Sequence, residues 1–367
     1  MTSKKYDYLV VGAGLYGSVF AHEMKKNKKS VLVIDQRNHI GGNCYTENKS
    51  GIDVHVYGPH IFHTSNLKIW DFINQFTKFN NFVHRPKVKY KNCIYSFPIN
   101  LFTLYQLWGT STPEEARKKL DEVRVKCDKP RNLEEWILSQ VGKEVYEKFI
   151  YGYTKKQWMK DPKDLPASII KRLPIRLTFD DNYFNDVYQG IPTNGYTKIF
   201  ENMLDGCEVE LGVDFFQKKE KYKKMANKIV YTGKIDQFYD YAFGKLDYRT
   251  LRFENFESDG DFQGNAIINY TEINIPWTRI TEHKHFLVDK SFSKTIYTKE
   301  YPEEWNENST PYYPINDLKN SIIYSNYEKL KQKETSIIFG GRLADYTYYD
   351  MHQVIGSALH SASKEII

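Results

Sequence analysis

The sequence predicts an α/β fold: a discontinuous Rossmann-like domain combined with a helical domain and an antiparallel-sheet domain. Three observations carry this. A strand–helix–strand pattern fills the first 35 residues, buried-strand runs recur near residues 230 and 338, and the stretches between are first helical and then rich in short β-type runs. At 367 residues the chain is longer than one core usually serves. Its 41% hydrophobic and 27% charged content is that of an ordinary folded protein.

Tyr6–Val11 is an apolar, β-rich run and Val31–Ile34 is a second, with the amphipathic stretch Ser18–Lys28 between them. Strand, helix and strand in about 30 residues make the βαβ unit of a parallel sheet. From Leu101 to Ile170 the pattern is helical. Thr112 reads as an N-cap before Pro113, Glu114 and Glu115, and Asn132 opens another helix before Glu134 and Glu135. Short β-type segments over Leu173–Tyr188 and Tyr248–Thr298 predict the antiparallel sheet. Lys228–Gly233 and Ser336–Gly341 are buried-strand runs that rejoin the first sheet, and the last helix starts near Tyr349. Residues 1–80 with 205–240 and 330–367 therefore form the Rossmann-like domain. Residues 101–170 form the helical domain, and 81–100 with 171–204 and 241–329 the antiparallel-sheet domain.

The net charge of +6 comes without a basic stripe, which argues against nucleic acid and fits a small anionic ligand. The lysines from Lys218 to Lys228 read as a solvated helix face. Four cysteines, Cys44, Cys93, Cys127 and Cys207, stand far apart and suggest neither zinc nor a disulfide framework. No apolar run of about 18 residues occurs, and Met1–Lys5 leads straight into a strand, so a cytoplasmic protein without membrane contact is expected. Tyrosine and phenylalanine are abundant, 29 and 22 residues, and most are read as core.

Gly12-Ala13-Gly14-Leu15-Tyr16-Gly17 follows the first strand and opens the helix. These glycines permit a tight turn, close approach of a pyrophosphate, and helix–strand packing. The helix N-terminus offers free N–H groups and a positive dipole to phosphates. Asp35, 18 residues beyond Gly17, ends the second strand where a carboxylate can hold ribose hydroxyls. Arg37 and Gly41-Gly42-Asn43 extend the pattern toward that of flavoproteins such as amine oxidases. FAD is the expected cofactor, with Gly12, Gly14, Gly17, Asp35, Gly42 and Asn43 holding it.

Six further motifs, in order along the chain, carry a more specific resemblance. They are Tyr57-Gly58-Pro59-His60-Ile61-Phe62-His63-Thr64, Gly152-Tyr153-Thr154-Lys155-Lys156-Gln157-Trp158, Tyr188-Gln189-Gly190-Ile191-Pro192, Tyr231-Thr232-Gly233-Lys234-Ile235-Asp236, Glu282-His283-Lys284-His285-Phe286 and Gly340-Gly341-Arg342-Leu343-Ala344. With them the chain resembles the bacterial UDP-galactopyranose mutase family over nearly its whole length. The resemblance implies redox-neutral interconversion of UDP-galactopyranose and UDP-galactofuranose, feeding surface polysaccharide synthesis. It further implies that reduced FAD is the active form and that its N5 forms a covalent adduct with the sugar as UDP departs.

The resemblance also assigns residues. Arg172, on a mobile loop, and Arg279 would flank the diphosphate, where charge-assisted hydrogen bonds contribute about 1.5–3 kcal/mol each. Tyr153 would stack on uracil, with Phe149 and Trp158 at the uridine end. Tyr183, Tyr313 and Tyr348 would donate hydroxyls to phosphate. Arg342, Asp350 and Met351 would lie along the flavin, and His60 against its ring system. Taken alone, these arginines read as surface residues and the aromatics as core. His60 and His63 stand three apart with no carboxylate or Cys to complete a metal site, so no metal is expected. An external reductant such as NADH or NADPH and a homodimer are further implications. Pro59 stands where a smaller, more flexible residue is expected. His84-Arg85 occupies a sugar-side segment where relatives more often carry Asn and a small residue; longer donors there could accommodate a substituent at the sugar's second carbon, as in an N-acetylated sugar. The competing reading is an amine-oxidase-like flavin oxidoreductase, which would share the dinucleotide domain alone.

Overall fold

The computed structural model describes residues 5–171, 173–288 and 290–366. The chain forms two compact units. Met1–Asn81, Asp186–Thr250 and Trp305–Ile367 make the first, and Phe82–Asn185 with Leu251–Glu304 the second. The helical segment and most of the sheet strands, assigned to separate domains by sequence, thus share one unit.

The first unit opens with β1 (Tyr6–Val11), α1 (Leu15–Lys26) and β2 (Val31–Asp35), the βαβ unit read from sequence. Helix α1 starts earlier than its amphipathic stretch because its first turns are buried nearly all round, from Tyr16 to Ala21, and carry no polar face. A hairpin of β3 (Thr46–Lys49) and β4 (Ile52–His55) follows, then β5 (Phe62–Thr64) and α2 (Leu67–Ile73).

The chain next supplies β6 (Lys87–Tyr90), β7 (Cys93–Ser96), α3 (Leu101–Trp108), α4 (Pro113–Val123), α5 (Leu133–Val145) and α6 (Gly152–Trp158) to the second unit. Both foreseen caps form. Thr112 Oγ1 accepts from Glu115 N at 3.2 Å, and Asn132 Oδ1 accepts from Glu135 N at 2.9 Å. Replacing such a cap by alanine typically costs about 1 kcal/mol. A π-helical turn, Tyr146–Tyr151, joins α5 to α6.

Residues 173–187 hold no strand, contrary to the sequence reading. Pro174 lacks an N–H, and the Asp180–Asn182 run favours turns. The backbone bonds here form no ladder: Arg176 N donates to Ile99 O at 2.9 Å, Leu101 N to Thr178 O at 2.9 Å, and Tyr183 N to His84 O at 2.8 Å.

Back in the first unit come β8 (Tyr188–Gly190), antiparallel to β5, then α7 (Thr197–Leu204), β9 (Glu208–Leu211), α8 (Lys219–Met225), β10 (Ala226–Tyr231) and α9 (Ile235–Phe238). β11 (Tyr248–Asp259), β12 (Ile267–Tyr270), β13 (Arg279–Glu282) and β14 (Lys294–Glu304) follow, and then β15 (Tyr313–Pro314), α10 (Leu318–Lys331), β16 (Ile337–Phe339) and α11 (Met351–Ser363).

The first unit's main sheet has the order β16-β10-β1-β2-β9, all parallel, so the runs near residues 230 and 338 do rejoin it. Alternate residues of β1 serve opposite layers. Tyr8 and Val10 pack toward α1, α7 and α11, while Leu9 packs with Ile34, Tyr231 and Phe339. Burying each such aliphatic side chain contributes about 1.5–3 kcal/mol. In the second unit β14, β13, β12, β6 and β7 pair in that order. The sheet is mixed rather than purely antiparallel, since β12 and β6 run parallel. No helix among the described residues is long and apolar enough to cross a membrane.

Candidate functional site

The glycine fingerprint forms a cradle in the first unit. Gly12 sits at φ +112°, and a Cβ there would stand 2.0 Å from Thr232 Oγ1. A Cβ on Gly17 would meet Gly12 O at 2.0 Å, so α1 lies on β1 only without one. The second glycine pair packs on the first loop: Gly41 N donates to Ala13 O at 2.8 Å, and a Cβ on Gly42 would reach Gly14 Cα at 3.0 Å. Helix α1 begins after Gly14 with no capping side chain.

Asp35 is buried and fastens this loop. Its Oδ2 accepts from Ala13 N at 2.7 Å and its Oδ1 from Arg37 N at 2.9 Å. An ionised carboxylate has about four acceptor sites, which leaves capacity for ribose hydroxyls. Arg37 Nη2 donates to Asn43 Oδ1 at 2.9 Å, and its guanidinium stacks 4.3 Å from the Tyr57 ring. Its Nη1 is buried with no partner among the described residues, a donor suited to a dinucleotide oxygen. The residues present therefore fit a dinucleotide.

Further along the first unit, Asp350 stands at the N-cap of α11 and donates its N–H to Gln353 Oε1 at 2.8 Å. Met351 follows, with Cys44 Sγ 3.7 Å from its sulfur. Arg342 Nη2 donates to Tyr312 O at 2.5 Å. The Arg342 guanidinium lies 4.8 Å from the Tyr348 ring and 5.9 Å from that of Tyr313, and its Nε is buried without a partner among the described residues. Two expected phosphate tyrosines and one expected flavin residue are thus brought together.

His60 N donates to His55 Nδ1 at 3.0 Å, and His60 Nδ1 lies 2.8 Å from Gly58 O. A carbonyl only accepts, so His60 Nδ1 carries the hydrogen. His63 turns to different partners. Its Nδ1 is 2.6 Å from Asp186 Oδ2, whose other oxygen accepts from Ser65 Oγ at 2.7 Å. Burial alone would raise the Asp186 carboxyl, yet these bonds from His63 and Ser65 hold it below its ordinary value. The absence of a carboxylate near the histidines, read from sequence, does not hold. His63, Asp350 and His352 place ligand-type atoms within 4.8 Å of one another, and Asp261, Glu282 and His285 form a similar group in the second unit.

The second-unit residues expected on the substrate side centre on α6 and β13. Arg279 opens β13, and its Nη2 donates to Tyr153 Oη on α6 at 3.0 Å. Its Nε stands 3.8 Å from Glu300 Oε2. Glu300 is buried on β14; burial pushes its carboxyl up, and the Arg279 charge partly offsets this. Trp158 ends α6, half-buried. Phe149 is only 2% exposed and takes the Tyr95 ring edge-on at 5.2 Å, so it is a core residue of this unit. Tyr183 packs 5.1 Å from the buried His84 ring. Arg85 Nε donates to Asn182 Oδ1 at 2.8 Å and lies 3.2 Å from Asp181. Arg172 lies outside the described residues.

Sequence reasoning missed three charged groups. Lys156 is half-buried on α6 with its ammonium bound to three carbonyls, Glu300 backs Arg279, and Arg249, 4% exposed, pairs with Tyr313 between β11 and β15. Only the repeated basic character of Lys155-Lys156, beside an aromatic motif, offered a signal for the first.

Comparison with known proteins joins these parts. A family profile for UDP-galactopyranose mutase matches residues 148–348, and one for an NAD(P)-binding Rossmann-like domain matches residues 10–76. The chain is 42% identical to the dTDP-fucopyranose mutase of Escherichia coli, over 96% of this chain and 97% of that one. It is also 42% identical to a probable UDP-galactopyranose mutase of Klebsiella pneumoniae, over 97% and 94%. A crystal structure of reduced UDP-galactopyranose mutase shares the fold at a TM-score of 0.76 and 14% identity, over 98% and 94%. Putrescine oxidase bound to putrescine shares it more loosely, at 0.61 and 11%, over 98% and 99%. FAD is the cofactor that the glycine cradle serves, and the chain belongs to the UDP-galactopyranose mutase family.

Proposed function

We propose that this chain interconverts UDP-galactopyranose and UDP-galactofuranose without net oxidation or reduction. The observation that carries the reading is the Arg279–Tyr153 contact, in a chain that matches mutases along 97% of its length. Bound and reduced, FAD supplies the nucleophile, N5, for covalent exchange with UDP at the anomeric carbon. The protein's own residues do the rest. Arg279, with Arg172, neutralises the diphosphate with a charge that cannot be lost at physiological pH. Tyr153 orients Arg279 and offers its ring to uracil, with Trp158 at the uridine end. Tyr183, Tyr313 and Tyr348 donate hydroxyls to phosphate oxygens. Gly12, Gly14, Gly17, Asp35, Gly42, Asn43, Arg342, Asp350 and Met351 hold the cofactor. His60, its Nδ1–H committed to Gly58 O, presents a fixed ring toward the flavin. The enzyme works in the cytoplasm as a homodimer, with NADH or NADPH keeping FAD reduced.

A second substrate reading has its own support, because identity to the dTDP-fucopyranose mutase is equal. The His84 and Arg85 side chains also favour trying an N-acetylated sugar. The test is to incubate dithionite-reduced protein with UDP-galactose, UDP-N-acetylgalactosamine and dTDP-fucose separately and resolve the products by chromatography. A new nucleotide sugar of unchanged mass from UDP-galactose, formed only by reduced protein, supports the proposal. Cyanoborohydride added during turnover should yield a covalent flavin–sugar product by mass. Faster conversion of dTDP-fucose would move the substrate assignment, and an oxidised sugar would favour the oxidoreductase reading.

A further inference from the structure

Three backbone carbonyls, one at the end of β12 and two in the turn between β12 and β13, converge on one ammonium. Lys156 Nζ donates to Tyr270 O at 2.8 Å, to Ile275 O at 2.9 Å and to Trp277 O at 2.8 Å. An ammonium has three hydrogens and no acceptor capacity, so this group is satisfied by these carbonyls alone. The side chain is half-buried, and desolvation of the ammonium lowers its pKa to about 8. Gly152, at the start of the same helix, brings the turn close. A Cβ there would lie 2.0 Å from Thr271 O. Thr271 Oγ1 donates in turn to Lys148 O at 2.5 Å.

The turn leads directly into the diphosphate arginine. Trp277, whose carbonyl Lys156 holds, is two residues before Arg279, and Thr278 N is tied to Glu300 O at 2.9 Å. Arg279 then reaches back to Tyr153, which lies one helical turn before Lys156 on α6. Residues three apart on a helix share a face. One face of α6 therefore grips the β12–β13 segment twice, by Lys156 at its backbone and by Tyr153 at its arginine.

We propose that Lys156 is a positioning residue for nucleotide-sugar binding: its ammonium gathers the turn carbonyls and so presets Arg279 against Tyr153. The inference rests on the reading of Arg279 and Tyr153 as the UDP-sugar half-site. It assigns Lys156 no contact with substrate. Because the seat is a ring of carbonyls, it should accept a free ammonium ion once the side chain is shortened.

The experiment compares Lys156→Ala, Lys156→Met and Arg279→Ala, each loaded with FAD. Wild-type protein is titrated with UDP first; failure of that binding would sink the half-site reading itself and not the role of Lys156. Lys156→Ala should keep its flavin spectrum and raise the Kd for UDP and the KM for nucleotide sugar on the order of 10- to 100-fold, as loss of one preorganised contact set does. Ammonium chloride, against sodium chloride at equal ionic strength, should recover at least a few-fold of that loss in Lys156→Ala. It should recover nothing in Lys156→Met, whose side chain fills the seat, or in Arg279→Ala. Unchanged UDP affinity in Lys156→Ala would overturn the proposal. So would a loss that ammonium leaves untouched, or failure of both Lys156 variants to fold while Arg279→Ala folds, since Lys156 would then serve the fold in general.

Discussion

Removing the Arg279 charge should expose Glu300 to the full effect of its burial, and the consequence is calculable. Arg279→Met keeps most of the side-chain stem but takes the cation from 3.8 Å away from a carboxylate that is 3% exposed. Leaving one buried charge uncompensated costs about 3–5 kcal/mol if it stays ionised. Glu300 can instead take up a proton, at about 1.4 kcal/mol per pH unit between its folded pKa and the medium. Burial already holds that pKa above its ordinary value, and Arg279 is what partly offsets the rise. For a carboxyl whose folded pKa exceeds the unfolded value of about 4.3, the native state binds more protons across the window between them. Stability therefore falls as pH rises through that window, by up to about 1.4 kcal/mol per unit. The deficit of Arg279→Met against wild type should accordingly widen between pH 5 and pH 8, and Arg279→Met with Glu300→Gln should recover most of it. Calorimetry of the FAD-loaded proteins reads this directly, since each kcal/mol moves the midpoint of a unit this size by roughly 2–4 °C. An equal deficit at pH 5 and pH 8, or a double variant no more stable than the single, would refute the reasoning.

Two further outcomes test other parts of the structure. Gly17→Ala should purify with little flavin, because its methyl would stand 2.0 Å from Gly12 O; full flavin absorbance at wild-type stoichiometry would count against the cradle. Burial would raise the Glu282 carboxyl, yet the His285 imidazole 3.3 Å away and bonds from the N–H groups of Phe262 and Gln263 and from Thr295 Oγ1 hold its pKa down to about 2, against an ordinary 4.5. That depression stabilises the fold above pH 4.5 and is lost as pH falls toward 2. Glu282→Gln should cost about 2–3 kcal/mol in urea denaturation at pH 7 and progressively less at low pH.

What sequence made legible divides along physical lines. Glycines that must let backbone approach backbone are visible at once, since few other roles demand Gly12, Gly17 and Gly42 at that spacing. The caps at Thr112 and Asn132 were equally plain, because the capping oxygen and its N–H lie three residues apart. Contacts across long separations were not. His63 meets Asp186 from 123 residues away, and nothing local to either announces it. Lys156 looked like its neighbour Lys155, a helix-face lysine; only the fold shows that one is enclosed by carbonyls while the other pairs with Tyr151 and Asp161. The β-like composition of 173–187 misled because its few backbone bonds, to the 99–101 segment and to His84, build no strand ladder. The diphosphate role of Arg172 remains a proposal on resemblance, as that residue lies outside the described residues.

Arg342 offers the sharpest separation of roles, because it is shared where the other residues are not. Gly17 lies in the dinucleotide cradle, packed against Gly12 and Val10, while Arg279 and Tyr153 belong to the other compact unit. Arg342, by contrast, is expected along the flavin, yet its guanidinium packs near both Tyr348 and Tyr313, the two first-unit tyrosines expected on phosphate. Its bond to Tyr312 O fixes the plane. A lysine in its place keeps the charge and loses the flat surface and the fork of donors. Arg342→Lys should therefore shift the flavin absorption envelope and weaken UDP binding together, the latter about tenfold for a lost stacking and hydrogen-bonding pair. Gly17→Ala should affect flavin loading, and Arg279→Ala UDP affinity with the flavin spectrum unchanged. If Arg342→Lys moves only one of the two signals, the tyrosine pair and the cofactor cradle are independent, and Arg342 belongs to whichever signal moved.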